Sequence, residues 1–116
     1  MARTSVTSTP LVRTGTNVAL VACDAVNGEV IDTGRVFLHV HNGGGSSITV
    51  TVHTAATFDS LAVTDLTVTV TAGSDSLIGP FNTTTFGRPA GGSDVGRAYV
   101  DYSSGTSVTR AVYSMP

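Results

Sequence analysis

The stretch of sequence that decides the fold runs from Arg35 to His53 and reads RVFLHVHNGGGSSITVTVH. Apolar side chains occupy every second position on both sides of its Gly-rich centre. That alternation is the period of a strand with one buried face. We therefore predict a strand on each side of a flexible loop at residues 42–46.

These two strands are predicted to pair with each other as a hairpin. The register that keeps their apolar side chains on one face pairs Val40 with Ile48, Leu38 with Val50 and Val36 with Val52. A slip of one residue would turn the whole apolar set outward, so burial and register support each other. The same register places His53 opposite Arg35.

The opposite face of this predicted hairpin carries Phe37 together with His39 and His41. An exposed aromatic ring among polar side chains can mark a contact patch. It can equally be covered by residues 54–63 of the same chain, in which Phe58 and Leu61 are the expected anchors. Both interpretations follow from the residues.

The rest of the chain repeats the strand pattern with turns at short intervals. Asn27-Gly28 predicts a tight turn, residues 66–70 alternate, and a strand from Ser76 ends near Gly79-Pro80. Residues 83–86 are expected to continue briefly as strand, and residues 97–102 and 107–113 to form a last hairpin. The fold class is all-β, an antiparallel β-sandwich of about seven or eight short strands, jelly-roll or immunoglobulin-like. Residues 1–10 form an extended N-terminal arm, and residues 11–116 one domain.

Composition excludes several classes of function. Hydrophobic residues make up 41% of the chain and charged residues 12%, with no Lys, six Arg and a net charge of -2. Without a basic cluster, direct nucleic-acid binding is not expected. No apolar run is long enough for a membrane span, and the N-terminus lacks an apolar leader. The single Cys23 is expected to be buried and inert and cannot form an internal disulfide, so we predict a protein made and assembled in a cytoplasm.

Groups that could carry chemistry are sparse. Glu29 is the only glutamate, and the seven Asp residues lie mostly in or beside predicted turns, where their side chains bond the local backbone. His39 and His41 could begin a metal site, but a structural zinc needs four ligands and no others are placed to complete it. We predict no catalytic residues, no cofactor and no metal.

The segment from Asn27 to Asn42 (NGEVIDTGRVFLHVHN) resembles small proteins encoded beside the major capsid protein of tailed actinobacterial phages. In that family an Asn-Gly turn and a Gly-Arg pair precede an alternating strand, and a T-V-T-V strand follows, here residues 48–52. Residues 78–81 (IGPF) and 99–102 (YVDY) are also similar, and the likeness runs from about residue 4 to the end. It implies a capsid decoration (cement) protein without catalytic residues. Such proteins bind the major capsid protein on the outer surface of the virion and bridge neighbouring capsomers, typically as homo-oligomers such as trimers.

If the chain decorates a capsid, its contacts are expected in the arm, in the loop 42–46 and in the Gly/Pro-rich loop 88–96. The residues expected to make capsid or subunit contacts are Arg3, Thr4, Val6, Phe37, Asn42, Gly44, Arg88 and Pro89. Deleting residues 2–9 is then expected to weaken capsid binding without unfolding the domain. The alternatives are another virion component (head fibre, neck or tail protein) and a carbohydrate-binding or adhesion module using Tyr99 and Tyr102.

Overall fold

Alternating apolar and polar side chains form strands through most of the chain. The computed structural model describes residues 3–17, 20–54, 57–62, 64–88 and 95–115. Its elements in chain order are β1 (Thr4–Ser5), β2 (Thr9–Pro10), β3 (Val21–Ala22), β4 (Glu29–Ile31), β5 (Val36–Asn42), β6 (Ile48–Val52), β7 (Thr57–Phe58), β8 (Leu61–Ala62), β9 (Leu66–Val70), β10 (Asp75–Ile78), α1 (Thr83–Phe86), β11 (Ala98–Tyr102) and β12 (Val108–Ser114). Within these ranges, no helix has the length and apolar character needed to span a bilayer.

Ten of the described strands form two packed sheets, and β7 pairs with β8 in a separate two-stranded sheet. The first sheet has the order β1-β4-β11-β6-β9, and the second has the order β10-β5-β12-β2, with β3 also paired to β12. All pairs in these sheets are antiparallel except β1 with β4 and β2 with β12. The predicted all-β sandwich is confirmed. It contains more strands than expected, because β1, β2 and β3 are each two residues long and too short to show an apolar period.

Both predicted hairpins are wrong in their pairing. β5 pairs with β10 and β12 in the second sheet, whereas β6 pairs with β11 and β9 in the first. β11 and β12 likewise lie in different sheets. The connecting loops therefore cross between sheets, and the apolar faces meet across the core instead of side by side. Alternation could not separate these arrangements, because each buries the same set of side chains.

The core lies between the sheets and includes the alternate apolar residues of β5 and β6 that the sequence pattern predicts, together with residues outside that pattern such as Ile31 and Phe81. β5 and β6 bury every second side chain, as predicted. The apolar side chains with no exposed surface are Ile31, Leu38, Val40, Val50, Val52, Val70, Phe81, Ala98 and Val100. Phe81 packs edge-on against Phe86, with ring centroids 5.6 Å apart.

Three local predictions also need correction. Residues 83–86 form the helix α1 instead of a strand, because the Asn82 side chain accepts a hydrogen bond from the Thr84 N–H at 2.8 Å and caps the helix. Leu61 is 70% exposed and anchors nothing, while the side chain of Phe58 lies outside the described part of the chain. His53 lies beside β11, where its N–H donates to Tyr99 O, because β6 is not in the sheet that contains β5.

A buried ion pair joins the two sheets. Glu29 on β4 has no exposed surface. Its Oε2 accepts a hydrogen bond from Arg110 Nε on β12 at 2.8 Å and lies 2.8 Å from Arg110 Nη2 in an ion pair. The Tyr102 hydroxyl donates to Glu29 Oε1 at 2.6 Å, and the Asp24 N–H donates to Oε2 at 3.1 Å. Burial, followed by the Glu29 charge, raises the pKa of Tyr102 far above its usual range, so the phenol stays a donor. The carboxylate is thus satisfied from three elements.

The N-terminal arm is paired to both sheets of its own chain. β1 runs parallel to β4, β2 runs parallel to β12, and Val6 packs against the core. Gly28 permits this close approach, because its φ is +77° and a Cβ there would collide with the side chains of Arg3 and Asp101. The arm therefore closes one side of the sandwich.

Deleting residues 2–9 is accordingly expected to lower the free energy of unfolding, because it removes two strand pairings and the contact of Val6 with the core. Urea unfolding of the truncated and full-length chains measures the loss. A truncated chain with unchanged stability would show that these pairings contribute nothing. Weaker capsid binding by the truncated chain would by itself not separate lost contacts from lost stability.

Candidate functional site

An apolar groove lies on the outer face of the second sheet, beside its free edge strand β10. It has a volume of about 550 Å³, and its apolar wall includes Phe37, Leu77, Pro80 and Met115. Leu77 is 69% exposed and Met115 is 51% exposed. Phe37 packs against Tyr113 with ring centroids 5.4 Å apart, and no described residue of the 54–63 segment lines the groove. We call this surface the apolar groove.

The histidines of β5 lie on the same outer face and contact one carboxylate. His39 Nε2 lies 3.1 Å from Asp75 Oδ2, and His41 Nδ1 contacts Asp75 Oδ1. Hydrogen bonds from His41 and His39 lower the pKa of Asp75. In the part of the chain that the structure describes, no group of three or more His, Cys, Asp or Glu side chains is arranged to hold a metal ion. The two histidines of β5 are therefore hydrogen-bonded to the carboxylate of Asp75 on the neighbouring strand β10.

A second surface lies on the outer face of the first sheet, around Tyr99 of β11. The guanidinium carbon of Arg3 lies 4.4 Å from the centre of the Tyr99 ring, and that of Arg88 lies 4.6 Å from it. Both distances are within the range of cation–π attraction. We call Arg3, Arg88 and Tyr99 the arginine–tyrosine stack.

The two guanidinium groups of the stack differ in their pairing. Arg3 Nη1 donates to Asp101 Oδ1 at 2.8 Å, and Nη2 donates to Oδ2 at 3.3 Å. Among the described residues, Arg88 has neither an ion-pair partner nor a side-chain hydrogen bond. Its backbone is held on both sides, since its N–H donates to Arg97 O at 2.8 Å and its carbonyl accepts from Gly96 N–H at 3.0 Å.

His53 links two further carboxylates at the edge of the stack. Its Nδ1 lies 2.8 Å from Asp65 Oδ2, and its Nε2 contacts Asp101 Oδ2. The Thr54 N–H, helped by His53, lowers the pKa of Asp65. Burial opposes ionisation of Asp101, but hydrogen bonds from Arg3 and His53 outweigh it and lower the pKa of that carboxyl.

The domain is expected to lose stability in acid because of these carboxylates. The pKa values of Asp65, Asp75 and Asp101 are lowered from 3.8, so their contribution is complete above that value and is lost as the pH falls through the folded-state values. Urea unfolding from neutral pH down to about pH 2 measures this loss. The variant Asp75→Asn should lose less stability over the same interval, and an identical loss in both proteins would contradict the role of Asp75.

The other residues predicted to contact the capsid differ in how far they are exposed to solvent. Thr4 is exposed, and Val6 and Gly44 are half-buried. Asn42 has no exposed surface, so its side chain cannot touch a partner directly. It holds the loop together instead, donating to Ser46 O at 2.8 Å and Val70 O at 3.0 Å. Pro89 lies outside the described residues.

The structure also shows the surroundings of Cys23 and Tyr102, the predicted inert thiol and a predicted sugar-binding ring. Cys23 is half-buried, and burial, followed by the Glu29 charge, raises the pKa of its thiol to about 11, which suppresses the reactive thiolate. Tyr102 is 5% exposed and hydrogen-bonded to Glu29, so it offers no ring face to a sugar. The carbohydrate-binding alternative therefore loses one of its two tyrosines.

Sequence reasoning missed the features that depend on packing. Glu29 directly follows the predicted Asn27-Gly28 turn, which gives no indication of burial, and its pairing with Arg110 spans 81 positions along the chain. The apolar residues Val30 and Ile31 that follow Glu29 were the available signal for a buried strand. No pattern in the sequence predicts that Arg88 stacks on Tyr99.

Comparison of the chain with protein-family models, with curated proteins and with solved structures gives no match.

Proposed function

We propose that this chain is a structural virion protein that binds the outer surface of a phage capsid and stabilises the shell. The observation that carries the proposal is the apolar groove, where the apolar side chains of Leu77 and Met115 are exposed side by side with Phe37 and Pro80. Exposed apolar surface of this kind is typical of sites that are covered by another protein. The resemblance of residues 27–42 and 48–52 to phage capsid-associated proteins supplies the nature of that partner, the major capsid protein.

The rigid frame around the groove supports a role in assembly. Phe37 lies on β5, the central strand between β10 and β12, so its position is held by both neighbours. Leu77 projects from β10, which is paired on one side only. A preformed apolar surface loses little conformational entropy when a partner covers it, which favours binding. Many such contacts over a symmetric shell would add up to resist internal pressure.

The first experiment mixes the purified protein with phage capsids that lack it. Sedimentation then measures the number of copies bound per capsid. Saturation at a multiple of the symmetry-related sites of the shell is the expected result, together with a higher disruption temperature of the decorated particle. Absence of co-sedimentation would overturn the proposal.

A matched pair of variants tests the groove itself. Leu77→Asp places a charge on the apolar surface, and Leu61→Asp makes the same change at a residue of equal exposure on β8, with relative exposures of 69% and 70%. Neither side chain is part of the core, so both variants should fold. Capsid binding should be weakened by the change at Leu77 and retained with the change at Leu61. Equal binding by both variants would exclude the groove as the contact surface.

A further inference from the structure

We infer that Arg88 is the centre of a second docking surface, which receives an acidic side chain of the capsid. This inference rests on the proposed function for the identity of the partner. The acidic nature of the ligand is inferred from the Arg88 guanidinium group. This group stacks 4.6 Å from the centre of the Tyr99 ring and has no carboxylate partner among the described residues. Stacking leaves the N–H donors at the rim of the guanidinium plane available to a ligand.

Three other arginines are paired with carboxylates, whereas Arg88 is paired with none of the described ones. Arg3 is paired with Asp101, and Arg110 with Glu29. Arg97 Nε lies 3.3 Å from Asp32 Oδ1, close enough for an ion pair although not aligned for a hydrogen bond. Among the described residues, the stack therefore carries one positive charge without a carboxylate partner, on a chain whose net charge is -2. A negative group on the partner would complete it.

The geometry favours a carboxylate over a more highly charged anion. A single free guanidinium fork matches the two oxygens of one carboxylate. The neighbouring Asp101 carboxylate is negative and already occupies Arg3. A phosphate with two charges would meet that repulsion with only one free fork, so an Asp or Glu side chain is the better ligand.

The position of Arg88 is set before a partner arrives. Its backbone is bonded to Arg97 and Gly96, and Val95 forms a parallel bridge with it. The side chain is half-buried against Tyr99. Arginine and tyrosine are also the residue types that dominate binding energy at protein interfaces. Tyr99 acts here as a positioning residue, which holds the guanidinium plane.

The surface lies on the opposite sheet from the apolar groove. Tyr99 projects from β11 of the first sheet, whereas Phe37 and Leu77 project from the second. One copy can therefore touch two neighbouring capsid subunits at once. That arrangement agrees with the bridging role of the proposed function.

Capsid binding by Arg88→Ala tests the inference, with Arg13→Ala as the control because Arg13 is an exposed arginine that is not part of the stack. We expect the change at Arg88 to weaken capsid binding about tenfold or more, whereas the change at Arg13 has little effect. Arg88→Lys should recover only part of the affinity, because it keeps the charge but loses the planar fork. Tyr99→Leu should weaken binding too, because it removes the ring on which the guanidinium stacks. Equal binding by wild type and Arg88→Ala would overturn the inference while leaving the proposed function intact.

A second measurement keeps the inference testable if the protein binds no capsid. Titration with a short poly-glutamate peptide, followed by NMR, should shift the Arg88 guanidinium signals saturably in wild type and should be weakened by added salt. Unmoved signals, or the same binding by Arg88→Ala, would overturn the carboxylate site itself. Sedimentation of the protein without capsids then measures whether it self-associates. Self-association that depends on Arg88 would assign the acidic group to a second copy and overturn the capsid as its source.

Discussion

Replacing Glu29 by Ala is expected to lower the free energy of unfolding by about 3–5 kcal/mol, because it leaves Arg110 as an unpaired charge inside the sandwich. Arg110 is 7% exposed, and its guanidinium has one hydrogen bond and one further ion-pair contact, both at 2.8 Å, to the carboxylate that would be removed. The Tyr102 hydroxyl would lose its acceptor as well. Urea unfolding at neutral pH measures the effect.

A double variant separates the charge from the packing. Glu29→Leu together with Arg110→Met replaces both charges by apolar side chains, and stability should then return close to that of wild type. Arg110→Ala alone should resemble Glu29→Ala, because it leaves the carboxylate buried and unpaired. A loss below about 1 kcal/mol in Glu29→Ala would place this pair in the class of solvent-exposed ion pairs, contrary to its burial.

Leu38→Ala is expected to cost about 2–5 kcal/mol, because Leu38 has no exposed surface and its removal leaves a cavity between the sheets. It lies on β5, opposite Val112 of β12 and Ile78 of β10, so the cavity would open at the centre of the second sheet. Thermal or urea unfolding measures the difference from wild type.

Leu61→Ala is the matched control for that substitution. It removes the same atoms from a side chain that is 70% exposed, so its effect should stay within about 0.5 kcal/mol. The contrast also distinguishes the observed structure from the sequence-based expectation, in which Leu61 anchored the 54–63 segment. Similar losses in both variants would mean that Leu61 is buried after all.

The two surfaces differ in how far the sequence could predict them. Phe37 could be identified as an outward-facing aromatic, since it lies between buried residues of an alternating strand. Its neighbours in the groove could not, because Leu77, Pro80 and Met115 reach it through strand pairings that are distant in sequence. The arginine–tyrosine stack likewise joins the N-terminus, the 88–96 loop and β11, and no local pattern encodes such a meeting.

The sequence by itself determined that the chain is an all-β sandwich, which side chains of β5, β6 and β9 point inward, and where the Asn27-Gly28 turn falls. These features depend on residues one or two positions apart, so a local period is sufficient. Only the tertiary structure decided which strands are neighbours, because a hairpin and a crossing between sheets bury the same alternate residues. It also decided that Glu29 meets Arg110 and that Arg88 stacks on Tyr99 without a carboxylate partner in the part of the chain that the structure describes. Those contacts depend on sheet order, which is settled by packing the whole core and not by any single stretch of the chain.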